Sequence, residues 1–300
     1  MPGFLRKNNE SPLLLRRRLL RGITPGWVAT YAAMLLLVAF TALPFVYLIA
    51  SAFKPLNELT AYPPTFLVQR PTIQNFMGLV STFENDKVPF SRYFFNSIIT
   101  TSVSVFGNVL ICCLGAYAVE KIRMPGHKLM FKFVIWGLMF SPPAAQIPIY
   151  IMMNEMGLRN TYWALIVPSL ATPIYFFLVK QFVTQVPDAI IESSRIDGAG
   201  EWRTFFAIIM PMIKPAWSTV VVFSFIENWN NAGGSSIYIT NQAMKTLPYA
   251  LSTINDAGLG LARLGAAAAA ALLTTVPVII IYLLMQKKVM NTMAHAGIKE

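Results

Sequence analysis

The sequence predicts an all-α polytopic membrane protein with six transmembrane helices and both termini on the cytoplasmic side. The first observation is composition: 55% of the 300 residues are apolar and 12% are charged, against roughly 25% charged in a soluble domain. The second is five stretches without Asp, Glu, Lys or Arg: Gly22–Phe53, Tyr93–Val119, Phe133–Asn154, Asn160–Val179 and Leu264–Gln286, each at least 20 residues long. About 20 apolar residues suffice for a helix to cross the bilayer core. A sixth stretch, Pro215–Ile226, reaches that length only if its helix continues through Asn228-Trp229-Asn230-Asn231. The third is charge placement. Net charge is +11, and alternating topology puts seventeen of the 24 Lys and Arg residues on the side of the N-terminus. Basic residues accumulate in cytoplasmic loops, which orients the chain. Because the bases follow topology rather than one soluble face, nucleic acid is not an expected partner; membrane lipid is.

The elements follow in order. Residues 1–26 form a basic cytoplasmic tail, with an interfacial helix or a plain topology anchor around Leu13–Leu20. Its basic region leads into a run long enough to remain as a span, so it reads as a signal anchor rather than a cleaved peptide. The transmembrane domain covers 27–290. Span 1 (27–51) contains Pro44, a potential kink. The outer loop 53–92 carries Pro55, Pro63, Pro64, Pro71 and Pro89, which oppose a long helix. Span 2 (93–119) is rich in small and hydroxylated residues from Thr100 to Gly107, suited to close helix contact. Span 3 (131–153) is interrupted by Pro142, Pro143 and Pro148, and span 4 (161–181) by Pro168 and Pro173. Prolines free backbone carbonyls that neighbouring helices or a water-lined cavity must cover, so these spans are either pathway helices or buried kinks.

After a cytoplasmic loop at 183–214 comes span 5 (215–233). Glu227 is its only acid near membrane depth, and the polar stretch from Asn228 to Ser236 places it at the outer interface. The second outer loop, 233–262, opens with Gly233-Gly234-Ser235-Ser236, expected to be mobile. Span 6 (263–286) carries the alanine run Ala266–Ala271, and a cytoplasmic tail occupies 291–300.

Several chemistries have no sequence support. There is no Gly-x4-Gly-Lys-Ser/Thr phosphate loop, no His-Glu-x-x-His and no Gly-x-Ser-x-Gly. His127 and His295 lack arranged acids or nucleophiles, and Cys112 and Cys113 are adjacent within a span, as small packing residues would be. No enzymatic activity, metal or cofactor is expected of this chain. A multi-span pathway with no energy source either conducts passively or is worked by a partner.

The stretch Pro187–Pro211 offers such a partner a handle. Pro187 suits the first turn of a helix, Asp188 complements its dipole, and Gly198 suits a left-handed stop. Ser193, Ser194 and Ala199 are small enough for close approach, while Glu192, Arg195 and Asp197 can pair with a docked surface. A second short helix carries Trp202, Phe205, Phe206, Ile208 and Ile209 toward the membrane interface. The alternative is a solvated loop without a partner.

Glu192-Ser193-Ser194, three residues, Gly198, nine residues and Ile208-Ile209-Met210-Pro211 resemble the EAA loop of binding-protein-dependent ABC importer permeases, with serines for both alanines and methionine for leucine. Asp197-Gly198-Ala199, Glu201-Trp202, Phe205-Phe206, Pro215, Trp229-Asn230 and the tail Ala296-Gly297-Ile298-Lys299 extend the resemblance to the maltose-type carbohydrate permease that pairs with a sister subunit. It implies a type I ABC importer permease core in a bacterial-type inner membrane. Glu192, Ser193, Ser194, Arg195, Asp197, Gly198, Ala199 and Pro211 are then ATPase-coupling residues. Two ATP-binding subunits hold the ATP and Mg, a sister permease completes the path, and an extracytoplasmic solute-binding protein delivers a carbohydrate, expected to be an oligosaccharide. Pro142, Pro143, Asn228, Trp229, Asn230, Asn231, Gly233 and Gly234 are the candidate pathway or binding-protein contacts. Relatives often carry Asp-Phe after Trp-Asn, where this chain has Asn231-Ala232. The rival reading is an ion-coupled secondary carrier for a small polar solute, which needs a charged midplane site; Glu227 is the one available.

Overall fold

The computed structural model describes residues 25–84, 88–122, 124–170, 172–256 and 264–297, and it is α-helical throughout. Among the described residues three helices are long and apolar enough to cross a membrane: α1 (Pro25–Phe53), α4 (Phe90–Tyr117, prolonged by a π-helical turn to Ile122) and α15 (Leu264–Gly297). Between α1 and α4 lie the short α2 (Leu56–Leu59) and the eleven-residue α3 (Gln74–Glu84). α1 is apolar around its whole circumference, with Leu35 and Phe40 both 72% exposed, and packs mainly on α15. A helix with that pattern needs an apolar medium on its free sides.

The remaining apolar stretches are bent pairs. α5 (His127–Met139) and α6 (Pro142–Glu155) meet at 116°. α7 (Trp163–Ile166), extended by a 3-10 turn to Ser169, meets α8 (Pro173–Thr184) at 46°. The helical run Glu201–Met212 meets α12 (Lys214–Trp229) at 79°. Counting each pair as one span gives up to six. Proline explains the first two breaks. Pro142 and Pro173 stand at the first turn of α6 and α8, where a missing N–H costs nothing and the fixed φ starts the new helix. They open half-helices instead of kinking continuous ones; only Pro148 lies inside α6.

Two departures from the sequence reading concern the end of α12. The helix stops at Trp229 and does not run on through Asn230 and Asn231. Asn231 instead caps α13 (Ala232–Tyr238), its Oδ1 accepting from the Gly234 N–H at 2.8 Å. The Gly-Gly-Ser-Ser segment, expected to be mobile, is therefore an ordered helix, with Gly234 and Ser235 buried and Ser235 Oγ 2.7 Å from Thr246 Oγ1. α14 (Leu247–Asp256) follows.

Three buried clusters hold the bundle. One joins Cys112, Cys113 and Tyr117 of α4 to Val179 and Val183 of α8 and Ala216 and Val220 of α12. Both thiols are free and have no exposed surface. A second, at the other end of the bundle, gathers Leu79 and Phe83 of α3, Trp229, Leu247 and the alanine face of α15. The third is small: Met153, Ala164, Tyr238 and Ile239. Polar staples run between them. Asn108 Nδ2 of α4 donates to Ser169 O at 2.8 Å and Ser224 Oγ at 3.0 Å. Asn96 Nδ2 donates to Ala243 O and Lys245 O and its Oδ1 accepts from Tyr162. Asn75 of α3 donates to Ala52 O and Lys54 O at 2.9 and 2.7 Å, with Gly265 of α15 pressed against it. Without water in the hydrocarbon region, such bonds must be made within the protein.

Candidate functional sites

The 187–214 segment folds as its local chemistry dictates. Pro187, extended at φ −61° and ψ 133°, precedes α9 (Asp188–Ile196). The helix ends in a Schellman arrangement: the Gly198 N–H reaches Arg195 O at 3.0 Å, and the Ala199 N–H reaches Ser194 O at 2.9 Å. That closure needs a left-handed residue, and Gly198 supplies it at φ +79°. α10 (Glu201–Thr204) follows, then a π-helical turn over Phe205–Ile209 and the last turn α11 (Met210–Met212), where Pro211 is exposed.

Two polar clamps fasten α9 to the end of α4. At its start, Lys121 Nζ of the π-helical turn donates to Asp188 Oδ1 at 2.7 Å and to Val186 O at 2.6 Å. At its end, Glu201 accepts from Tyr117 of α4 at 2.6 Å and from Arg195 at 2.9 and 3.2 Å. Beside these, Lys180 of α8 pairs with Glu120 at 2.9 Å. Arg195, expected to face a docked partner, is thus engaged by Glu201 within the chain: two guanidinium nitrogens donate to the one oxygen Oε1, six residues away on the next helix, while Oε2 accepts from Tyr117. Glu192, Ser193, Asp197 and Gly198 are exposed. Ser194 is not: its Oγ donates to Ile191 O at 2.8 Å and sits 3.1 Å from Thr204 Oγ1. Ala199 is half-buried. The aromatic row divides as well. Phe205 and Ile209 are buried in the α4–α8–α12 cluster rather than facing an interface, because the π-helical turn rotates them inward. Trp202 (67% exposed) and Phe206 (52%) stack outside.

A second site lies between the half-helices. A cleft of about 240 Å³ is lined by Pro143 and Gln146 of α6, Ser169, Glu227 and Asn228 of α12, Asn231, and Gly234 and Tyr238 of α13, among others. Four of the residues expected along a pathway, Pro143, Asn228, Asn231 and Gly234, come together here; Pro142 lies one residue away in the chain. Asn230 and Gly233 are exposed beyond it. Trp229 turns the opposite way: its Nε1 donates to Thr274 O at 2.9 Å and its ring is buried against Phe225. Glu227, expected to stand at an outer interface, lines the cleft and accepts a 2.5 Å bond from Tyr175 of α8. The sequence reading missed Tyr175 and Gln146, since nothing in a linear sequence relates them to Glu227. Tyr238 closes one wall, stacked on Tyr150; burial raises the pKa of its phenol and keeps the proton on. Among the described residues no three His, Cys, Asp or Glu side chains form a metal-holding group.

Half-helices around a polar cleft, with a capped helix projecting at the end of the bundle, define a membrane transport component. Residues 126–291 match the family model of binding-protein-dependent transport system inner membrane components, and the chain belongs to that family. Its members are parts of transporters and not catalysts. The chain is 31% identical to Protein LplC of Bacillus subtilis (strain 168) over 221 residues, 72% of this chain and 71% of that one. It is 27% identical to the arabinooligosaccharides transport system permease protein AraQ of Halalkalibacterium halodurans, over 72% of this chain and 77% of that one. Its fold is similar to a chain of a bacterial ABC transporter involved in the import of the acidic polysaccharide alginate. That likeness has a TM-score of 0.75 at 18% identity and covers 96% of this chain and 99% of that one.

Proposed function

We propose that this chain is one of two permease subunits of an ATP-driven carbohydrate importer of the maltose type, carrying an oligosaccharide across a bacterial-type inner membrane. In this reading the bent pairs complete six spans, both termini face the cytoplasm, and the path forms against a sister permease. Two ATP-binding subunits seat α9, and a solute-binding protein docks at the opposite face.

The observation that carries the reading is α9 itself. It projects Glu192, Ser193, Asp197 and Gly198 outward while Lys121–Asp188 and Tyr117–Glu201–Arg195 tie both its ends to α4. A displacement of α9 by closing ATPase subunits therefore reaches a membrane helix through two bonded links. The names of relatives that carry sugars support the substrate class. A tagged chain is expected to copurify with a sister permease and an ATPase subunit. Gly198→Trp combined with Glu192→Lys should abolish uptake while the chain stays inserted; full uptake and assembly in that variant overturn the docking role. One observation favours an ion-coupled carrier: a carboxylate, Glu227, lines the cleft. Uptake that survives ATP depletion but stops with a protonophore selects that rival.

A further inference from the structure

The cleft holds one formal charge. Among the described residues lining it, Glu227 is the only acidic or basic one. Its Oε2 takes the Tyr175 hydroxyl at 2.5 Å, so Tyr175 fixes the carboxylate while Oε1 has no donor among the described residues. Other walls offer the amides of Gln146 and Asn231 and the Ser169 hydroxyl. Asn228 also lines the cleft and spends its amide hydrogens on Ser224, which leaves its side-chain oxygen as a further acceptor. An acidic side chain next to membrane-spanning helices usually faces a cavity or a partner, and Glu227 lines this cleft.

We propose that Glu227 is a charge-selecting contact in the solute path, receiving hydroxyl hydrogens of an uncharged sugar ring and turning away saccharides that carry carboxylates. The inference rests on the permease reading above and names the substrate class of that same site. An ionised carboxylate only accepts hydrogen bonds, so it favours a ligand dense in hydroxyl donors. A uronate ring brings a second negative charge next to it where none of the described lining residues is a lysine or arginine, and like charges repel more strongly outside bulk water. Tyr175 is a positioning residue. Its hydroxyl holds one carboxylate oxygen so that the other faces the cleft.

The test uses the whole importer in its own cells. A plant-polysaccharide hydrolysate containing neutral and uronate oligomers is supplied, and mass spectrometry reads which oligomers leave the medium only when this chain is present. Chain-dependent depletion of neutral oligomers is expected. Glu227→Lys should slow it roughly tenfold or more, the equivalent of losing one charge-assisted hydrogen bond, with copurification of partners unchanged. Tyr175→Phe should raise the half-saturating concentration for a neutral oligomer several-fold and keep the maximal rate, a split that a merely structural defect does not produce. Depletion of uronate oligomers, or a Glu227→Lys chain as fast as the unaltered one, overturns this inference and leaves the permease reading standing. No chain-dependent depletion of either class overturns both.

Discussion

Ser194 and Thr204 face each other across the turn at Gly198, their hydroxyl oxygens 3.1 Å apart, and both are buried. Thr204 is wholly enclosed and Ser194 is 6% exposed. The pair accounts for a serine where the resembling loop motif carries alanine: the second helix offers a hydroxyl at Thr204, and an alanine at 194 would leave it without that partner. The neighbouring Ser193 is exposed and bonds only to Ile190 O at 3.0 Å, which an alanine can forgo in water.

Ser194→Ala is therefore expected to lower stability by about 1–2 kcal/mol, the cost of a buried hydroxyl left unpaired. Removing both hydroxyls with Ser194→Ala and Thr204→Val should recover most of that loss, and Ser193→Ala should change little. Thermal unfolding of the purified protein in mild detergent reads all three.

Gly198 separates backbone strain from steric exclusion. A Cβ there meets nothing within 4 Å, so its φ of +79° is the whole constraint. Gly198→Ala should cost about 1–2 kcal/mol for the left-handed backbone. Gly198→Asn should cost less, because its short polar side chain tolerates that region. Both keep the surface open, so uptake should fall far less than in Gly198→Trp. Equal uptake losses for asparagine and tryptophan count against a docked partner at this turn.

The clamp at the start of α9 is unequal. The Lys121 side chain is 6% exposed and that of Asp188 is 49% exposed. Asp188→Asn removes a charge partly screened by solvent and should cost under about 1 kcal/mol. Lys121→Met also strips the donor from Val186 O and should cost about 1–3 kcal/mol. Thermal unfolding of each variant gives the order; a larger loss for Asp188→Asn contradicts the described geometry.

Two glycines on packed helices should respond in opposite directions to alanine. At Gly265 an added Cβ falls 2.1 Å from Asn75 Oδ1, displacing the amide that holds Ala52 O and Lys54 O. Gly265→Ala is expected to destabilise by about 1–3 kcal/mol through overpacking. At Gly78 in α3 an added Cβ meets nothing within 4 Å. Gly78→Ala should stabilise by up to about 1 kcal/mol, since a helical alanine loses less backbone freedom on folding. The same unfolding assay orders the pair.

What was legible in the sequence is what depends on short range. Charge-free length marks α1, α4 and α15. Pro187 and Gly198 bracket α9 because a fixed φ and a left-handed φ are properties of single residues. Even the Asn231 cap had a local signal, a capping residue before small ones, although the glycines read more naturally as a loop. The prolines of spans 3 and 4 marked where the chain breaks, but not how sharply it bends. Hydropathy is the same for a straight span and for two half-helices meeting at 116°. Which residues of 201–212 turn inward was not legible either: Phe205 is buried where an interfacial position was expected, while Phe206 is exposed as expected. The cleft was least legible of all. Tyr175 and Glu227 lie 52 positions apart, and only the packing of α8 against α12 brings them together.

The two cysteines make this chain convenient for following its own motion. Cys112 and Cys113 are the only thiols in the sequence, and both are enclosed in the α4–α8–α12 cluster. A maleimide or spin label applied to the folded protein finds no native thiol at its surface. A single cysteine introduced at an exposed position such as Ser193, or one at each end of the bundle, will report alone. Distances between α9 and the cleft can thus be followed through a transport cycle without first engineering the chain free of sulfur.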